Sequence, residues 1–369
     1  MKRIATITYS RAYNYGSALQ TYALNRYLTE LGNNVKTIDY TTENQQKLYK
    51  IFEPLNSSMS IVRNLQSIVY YNHLKTHKKR FDNFLSRYVP MTEKVSTYDE
   101  FLRLNTQFDY FVCGSDQIWN AQCEDFDSNY MLSFVDNKQK CIAYAPSLGA
   151  GNNEPNTVKA LATYVNGFKS VSSREKSSVS TIENATGCHV EHVLDPVFLL
   201  DSGQWIEIMD TCPVKGEYIL GYFIGNVTGM REFAAQFSKE SNLPVVVIWK
   251  SIRDVKYGFR TYYEAGPSEF LSLIKGATYI VTNSFHAVSF SLIFCKSFWA
   301  FTQPNSSDER IRNILVLMGL TNRIVNEDQF AGIEKFSTID YGMINRKGLN
   351  ALIESSKNYL KRNIDDRTT

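Results

Sequence analysis

The chain has 369 residues, 43% hydrophobic and 13% aromatic, and a formal charge of +3. That length exceeds one core of ordinary size and predicts two domains, while the apolar content excludes intrinsic disorder. The mild charge excludes an advertised nucleic-acid surface, and no apolar run is long enough to span a bilayer.

Met1-Lys2-Arg3-Ile4 enters a strand pattern at once, with no apolar stretch of the signal-peptide type. Ile4 to Tyr9 reads as a buried strand, and Ser10 to Tyr15 as a polar loop. Gly16 to Leu31 reads as a helix closed by Gly32, and Val35 to Tyr40 as a second strand. Strand, helix and strand in about forty residues make a βαβ unit and imply a parallel sheet. Ligands of such sheets sit at the carboxyl ends of the strands, which places Arg11, Asn14, Tyr15, Gly16 and Ser17 on a crevice. No G-x-G-x-x-G follows, so a dinucleotide fingerprint is absent.

Residues 41 to 61 are weakly patterned and read as loop or short helices. A helix from about Val62 to Tyr88 carries His73, Lys75, His77, Lys78, Lys79 and Arg80, a basic cluster suited to an anionic membrane surface or a lipid diphosphate, with a solvated helix face as the favoured alternative. Phe108 to Cys113 is an apolar strand ending in Gly114-Ser115-Asp116-Gln117-Ile118-Trp119-Asn120. Such a loop can grip sugar hydroxyls through Asp116 and Gln117 over Trp119, or form an Asx-type turn with Trp119 in the core. Strands follow at Cys141 to Ala145, Phe168 to Ser172 and Val190 to Leu194, with a helix around Asn156 to Asn166. Arg174, in the strand-to-helix loop Ser173-Arg174-Glu175-Lys176, offers a fork for a carboxylate or phosphate; pairing with Glu175 or Glu183 is the competing explanation.

Around Asp201 to Gly216 the pattern breaks at a short helix bearing Trp205, and then the rhythm restarts. Strands are expected at Tyr218 to Ile224, Val245 to Trp249, Tyr279 to Thr282 and Phe298 to Phe301. Helices are expected up to Ser241 after the loop Gly225 to Gly229, and at Ser268 to Lys275, Glu309 to Met318 and about Lys347 to Arg362. Residues 1–205 are expected to form one domain, 206–345 a second, and 346–369 a C-terminal helix and tail. The six cysteines (Cys113, Cys123, Cys141, Cys188, Cys212, Cys295) are scattered without C-x-x-C or Cys/His ligand spacing, which points to reduced thiols in a cytosolic protein and to no metal.

The most informative stretch is Tyr279 to Phe294. An apolar β-branched run meets the N-cap residues Asn283 and Ser284, and Phe285, Val288 and Leu292 then recur at helical spacing. His286 falls in the first helical turn, where free N–H groups and the positive dipole end favour an anion. There the dipole holds an imidazole neutral when the site is empty, and a bound phosphate helps it take a proton. A histidine satisfied by Ser289 or backbone is the alternative.

Five blocks together carry a resemblance: Asn14-Tyr15-Gly16-Ser17-Ala18-Leu19-Gln20, Gly114 to Asn120, Ser173-Arg174-Glu175-Lys176, Leu194-Asp195-Pro196-Val197-Phe198-Leu199-Leu200 and Thr282-Asn283-Ser284-Phe285-His286. In this order, with Arg310-Ile311 before Gly319-Leu320, they resemble the polysaccharide pyruvyltransferase family over nearly the whole chain. The resemblance implies an α/β fold of two Rossmann-like domains of GT-B type, with the site in the cleft between them. It also implies transfer of a pyruvyl group from phosphoenolpyruvate to a sugar, forming a ketal and releasing phosphate. The family links positions matching His286 and Arg174 to donor binding and catalysis. Some members carry an arginine where this chain has Ser284, so its guanidinium would come from Arg310, with Lys250 or Arg253 behind it.

The sequence thus predicts His286 as general acid and Asp116 as acceptor-side carboxylate. Arg174, Asn283, Ser284 and Arg310 are expected on the donor, and Asn14, Tyr15, Gly16, Ser115 and Gln117 on the acceptor. No metal or other cofactor is required in principle, because protonation of a methylene carbon needs only an acid. By inference from the family, the acceptor is a sugar of a bacterial surface polysaccharide, free or lipid-linked, handled in the cytoplasm at the inner face of the membrane. A GT-B glycosyltransferase using a nucleotide sugar and a non-catalytic assembly subunit are the alternatives.

Overall fold

The computed structural model describes residues 1–54, 58–149, 154–225, 228–248, 252–302, 309–326, 330 and 332–364. Asn226, Val227, Lys250, the Arg253 side chain and the tail from Asp365 lie outside the described residues. The chain divides into two compact units. Unit 1 comprises Met1–Tyr71, Phe81–Leu199 and Leu352–Thr369; unit 2 comprises Asn72–Arg80 and Leu200–Ala351. The division after Leu199 precedes the expected one after residue 205. The last helix, Lys347–Ile364, is mostly part of unit 1 rather than a separate tail.

Unit 1 holds strands β1 (Arg3–Ile7), β2 (Asn34–Asp39), β3 (Met91–Lys94), β4 (Tyr110–Cys113), β5 (Cys141–Ala143), β6 (Ser170–Ser173) and β7 (Val190–His192), in the spatial order β3-β2-β1-β4-β5-β6-β7. Every pairing is parallel, with Ile7 opposite Cys113 at the carboxyl ends of β1 and β4. Successive side chains go to opposite faces. Ala5, Ile7, Phe111 and Cys113 enter one core, and Ile4, Tyr110 and Val112 enter another with Tyr359, Leu360 and Ile364 of the last helix. Burial on both faces explains the nearly unbroken apolar runs of β1 and β4. Each fully buried large side chain, such as Ile7 or Phe111, contributes about 1.5–3 kcal/mol.

Unit 2 repeats the plan with β8 (Ile219–Tyr222), β9 (Val245–Val247), β10 (Arg260–Thr261), β11 (Tyr279–Thr282), β12 (Ser297–Thr302) and β13 (Ile324–Asn326), in the order β10-β9-β8-β11-β12-β13. In each sheet the strand order reverses once, between β1 and β4 and between β8 and β11. Those are the points at which an open parallel sheet leaves a crevice beyond its strand ends. The Gly114–Asn120 loop and His286 each follow a strand at such a point.

Some elements depart from expectation. β3, β10, β13 and the helix Tyr98–Gln107 had no clear pattern, being short, at an edge or half polar. The helix expected from Val62 to Tyr88 is two, Ser58–Val69 and Tyr71–Tyr88, broken at Tyr70. The first is inverted: Ile61, Val62, Leu65, Ile68 and Val69 face outward while Ser60 and Ser67 are buried. In the second the basic cluster splits. Lys75 and Lys79 are exposed, His77 is buried with Nδ1 2.9 Å from the Ala265 carbonyl, and Arg80 pairs with Glu269 at 3.0 Å. Among the described residues no helix is long and apolar enough to cross a membrane.

Candidate active site

In unit 1 the loop after β4 is shaped by its backbone. Gly114 has φ +122°, and a Cβ there would lie 1.9 Å from the Tyr144 carbonyl oxygen, so only glycine fits. Ser115 follows, wholly buried. Its N–H donates to Gln20 Oε1 (3.0 Å), its carbonyl accepts from Thr8 Oγ1 (2.8 Å), and its hydroxyl donates to the Ala145 carbonyl (2.7 Å). Gln20 Nε2 in turn donates to Thr8 Oγ1 at 2.9 Å. These bonds fix the ends of β1 and β4 together and present the next residue, Asp116, with its backbone at φ +78°.

Asp116 retains 19% side-chain exposure. Ser17 Oγ donates to its Oδ2 at 2.5 Å, the Gln117 N–H donates to its Oδ1 at 2.8 Å, and Arg174 Nη2 lies 3.7 Å away. Arg174 makes the pairing with Glu175 that was the competing explanation of its loop position, though buried and not at the surface. Its side chain is 2% exposed, with Nη1 2.9 Å from Asp195 and Nε 3.1 Å from Glu175. Burial works against its charge, but Glu175, Asp195 and Asp116 more than compensate and raise its pKa. One guanidinium against three carboxylates leaves a formal charge of −2, a poor surroundings for an anion. Arg174 therefore positions Asp116 and the Ser115 loop.

Other residues expected on the acceptor also serve the scaffold. Asn14 is exposed, but its Oδ1 caps the helix Tyr15–Glu30 by accepting from the Gly16 and Ser17 N–H groups. Tyr15 is buried with its ring 5.2 Å from that of Phe81, and Gly16 and Ser115 are buried as well. Trp119 lies in the core. Gln117 stays half-buried beside Asp116, and Arg11 forms a bidentate pair with Asp39.

In unit 2 the strand-turn-helix forms as its sequence predicts. β11 ends at Thr282, whose Oγ1 donates to the Tyr222 carbonyl (2.7 Å) and accepts from the Ser284 N–H (3.0 Å). Asn283 grips the backbone of Ile224, accepting from its N–H at 2.8 Å and donating to its carbonyl at 2.9 Å. Ser284 is buried and caps the helix Phe285–Ile293 through the Ala287 N–H. Both side chains, expected on the donor, are thus engaged in building the turn. His286 is half-buried in the first helical turn, its ring edge-on to Phe285 at 5.4 Å. The Arg310 guanidinium lies over that same Phe285 ring, 5.0 Å from its centroid. Arg312 Nη2 donates to Thr302 Oγ1 (2.6 Å) at the end of β12, adjacent to β11. A cation, an imidazole and a helix N-terminus at one strand end can hold an anion and deliver a proton to it.

The signature of the polysaccharide pyruvyl transferase family matches residues 14–305. The chain belongs to that family. No curated protein matches this family member in sequence. Among solved structures it is similar to the UDP-GlcNAc 2-epimerase of Neisseria meningitidis bound to UDP-GlcNAc, with 10% identity and a TM-score of 0.52 over 99% of this chain and 95% of that one. It is also similar to the S. aureus MnaA–UDP complex, at 12% identity and a TM-score of 0.49 over 100% and 89% of the two chains. The E. coli heptosyltransferase WaaC with ADP-2-deoxy-2-fluoro heptose gives 10% identity and 0.38 over 85% and 99%. The fold is two parallel-sheet α/β domains of the GT-B type. Such low identities carry the fold and nothing further.

Asp195 and Arg312 are the residues whose part at these sites sequence reasoning missed. Asp195 had a visible signal, a carboxylate inside the apolar run Val193 to Leu200, where a charge requires a partner. Among the described residues no group of three His, Cys, Asp or Glu side chains is placed to hold a metal.

Proposed function

We propose that this member of the polysaccharide pyruvyl transferase family moves a pyruvyl group from phosphoenolpyruvate onto two hydroxyls of one sugar. The observation that carries the reading is the anion-suited group in unit 2, His286 at a helix N-terminus with Arg310 on the adjoining Phe285, in a chain of this family. Phosphoenolpyruvate carries a carboxylate and a phosphate, which cations and helix amides bind. Arg310, over the Phe285 ring, takes the place of the arginine that some relatives carry at the position of Ser284.

In the reaction, His286 gives a proton to the donor's methylene carbon, making it a methyl group and leaving a cationic carbon. One sugar hydroxyl attacks that carbon and loses its proton. The C–O bond to phosphate breaks, the second hydroxyl attacks, and it too loses its proton. One of the two released protons restores His286 and the other leaves on phosphate. Asp116, held by Ser17 and Arg174, orients an acceptor hydroxyl and takes its proton. The charge around Arg174 supports that division, since a net negative cluster accepts hydrogen bonds from sugar hydroxyls and repels the donor. No metal enters the scheme. The acceptor is a sugar of a surface polysaccharide or its lipid-linked precursor, reached at the inner face of the membrane.

The test is incubation with phosphoenolpyruvate and a panel of saccharide acceptors, reading phosphate release and the acceptor's mass. Thermal shifts with phosphoenolpyruvate alone and with nucleotide sugars alone accompany it. Stabilisation by nucleotide sugars, with no phosphate released from phosphoenolpyruvate, would replace this reading by glycosyl transfer.

A further inference from the structure

The helix Ser58–Val69 of unit 1 is turned against the rule that an apolar face meets a core. Ile61, Val62, Leu65, Ile68 and Val69 are 49–74% exposed, while Ser60 and Ser67 on the opposite side are buried. At about 100° per residue the five aliphatic side chains fall within an arc of roughly 120°, the width of a face that an ordinary helix buries. Hydrogen bonds hold the helix in this orientation. The Glu53 N–H donates to Asn64 Oδ1 and Asn64 Nδ2 donates to the Glu53 carbonyl, both at 2.8 Å, and Arg63 Nη1 lies 3.2 Å from Glu53 Oε1. These contacts tie the polar flanks of the helix to the preceding segment. The stripe cannot roll inward without breaking them.

Exposure of that degree describes a ridge. The walls of a groove shield one another, whereas these five side chains project, and a projecting aliphatic ridge suits a fluid apolar layer that closes around it. Aromatic rings and cations accompany the ridge. Tyr71, two residues past Val69, stacks on Phe52 with ring centroids 6.0 Å apart and planes 19° apart, and both rings are partly exposed. Exposed rings of this kind favour the headgroup level of a bilayer. Lys50, two residues before Phe52, and Lys47 are exposed as well. In the sequence, residues 41–80 hold seven Lys or Arg and two acidic residues, a formal charge of +5, against +3 for the whole chain. The rest of the protein is therefore net negative. The positive charge is gathered in the segment that carries the stripe, which complements an anionic layer of lipid headgroups.

We infer that the helix Ser58–Val69 is a docking surface for an anionic lipid layer, lying in its plane with Ile61, Val62, Leu65, Ile68 and Val69 among the acyl chains. Phe52 and Tyr71 then sit at the headgroup level, and the lysines meet the lipid charge. The inference rests on the proposed reading for its use, which is to bring the enzyme to an acceptor at the membrane face. The surface itself rests on the stripe and the charge beside it. A second copy of the chain is the rival occupant, but pairing this face with itself would set +5 against +5.

The test is co-sedimentation of the full chain with vesicles of phosphatidylcholine and phosphatidylglycerol in equal parts, and with vesicles of phosphatidylcholine alone. The wild type is expected to bind the mixed vesicles and to bind the neutral ones more weakly. Leu65→Gln/Ile68→Gln is expected to lower partition onto the mixed vesicles by roughly tenfold or more, with an unchanged melting temperature. Should that variant fail to fold, Leu65→Trp, which keeps an apolar side chain, is expected to shift its emission to the blue on the mixed vesicles; no shift overturns the inference. No binding by the wild type, equal binding to both vesicle types, or equal binding by the folded double variant overturns it too. A wild-type dimer in sedimentation velocity that the double variant converts to monomer, without vesicle binding, assigns the stripe to a second copy instead. Phosphate release from phosphoenolpyruvate with a water-soluble acceptor, in the absence of vesicles, should be equal in wild type and double variant. Its absence from both, with vesicle binding upheld, removes pyruvyl transfer and leaves the lipid surface standing.

Discussion

Arg174→Met separates a buried buttress from a donor clamp. The guanidinium lies 2.9 Å from Asp195 and 3.1 Å from Glu175, with 2% of its side chain exposed. Methionine keeps much of the volume and removes the charge from beside a carboxylate that is wholly buried. Two unit charges about 4 Å apart at an effective dielectric constant of about 20 interact by ~4 kcal/mol. Removing one member of a buried pair costs about 3–5 kcal/mol by mutational experience. For a unit of this size that corresponds to a melting temperature lower by on the order of 10 °C. Thermal unfolding followed by circular dichroism reads the loss, and Arg174→Met/Asp195→Asn should recover part of it because the stranded charge is gone. Phosphoenolpyruvate affinity per folded molecule should stay close to wild type. A variant that melts with the wild type and loses donor affinity would refute the buttress and return Arg174 to the donor.

Three further outcomes are expected. His286→Gln should leave the melting temperature near wild type and lower single-turnover phosphate release roughly a hundredfold or more, the usual scale of general acid–base catalysis. Gly114→Ala should abolish soluble folded protein, because its Cβ would sit 1.9 Å from the Tyr144 oxygen; soluble yield measures this. Burial lowers the His77 pKa to about 4 from an ordinary 6.5. The unfolded chain therefore binds the extra proton between those values, so stability is full above pH 6.5 and falls as the pH drops towards 4. The loss reaches about 3 kcal/mol, and it should be missing from the profile of melting temperature against pH of His77→Gln and so appear in the difference between wild type and that variant.

The parts of this molecule legible in its sequence are those whose physics is local. Tyr279 to Phe294 announced strand, cap and helix because a β-branched run, a capping serine and helical spacing all lie within sixteen residues, and β11 and its helix fall where that pattern put them. Asp116 was legible as a polar group on a strand-end loop. The role of Arg174 was not, because its partners Asp116 and Asp195 lie 58 and 21 residues away and only the sheet order brings them to it. Asn283 and Ser284 misled for a related reason: the residues that build a sharp turn are the same polar types that bind ligands. The break at Tyr70 carries no glycine or proline, and β3 (Met91-Thr92-Glu93-Lys94) is an edge strand whose half-exposed residues show no apolar face.

The final helix has a consequence for the order in which the protein is built. Ser356 Oγ accepts from the Leu194 N–H at 2.9 Å, and the Tyr359 hydroxyl donates to the Ala143 carbonyl at 2.9 Å, while Leu360 and Ile364 complete the core shared with Ile4 and Val112. Until synthesis has passed Leu352, the first unit to emerge from the ribosome therefore exposes one apolar face of its sheet. The larger part of unit 2, Leu200–Ala351, is translated in that interval. A nascent chain of this kind depends on protection of that face during elongation, and the second unit can close its own core first, so the domain begun earliest is the last to be finished.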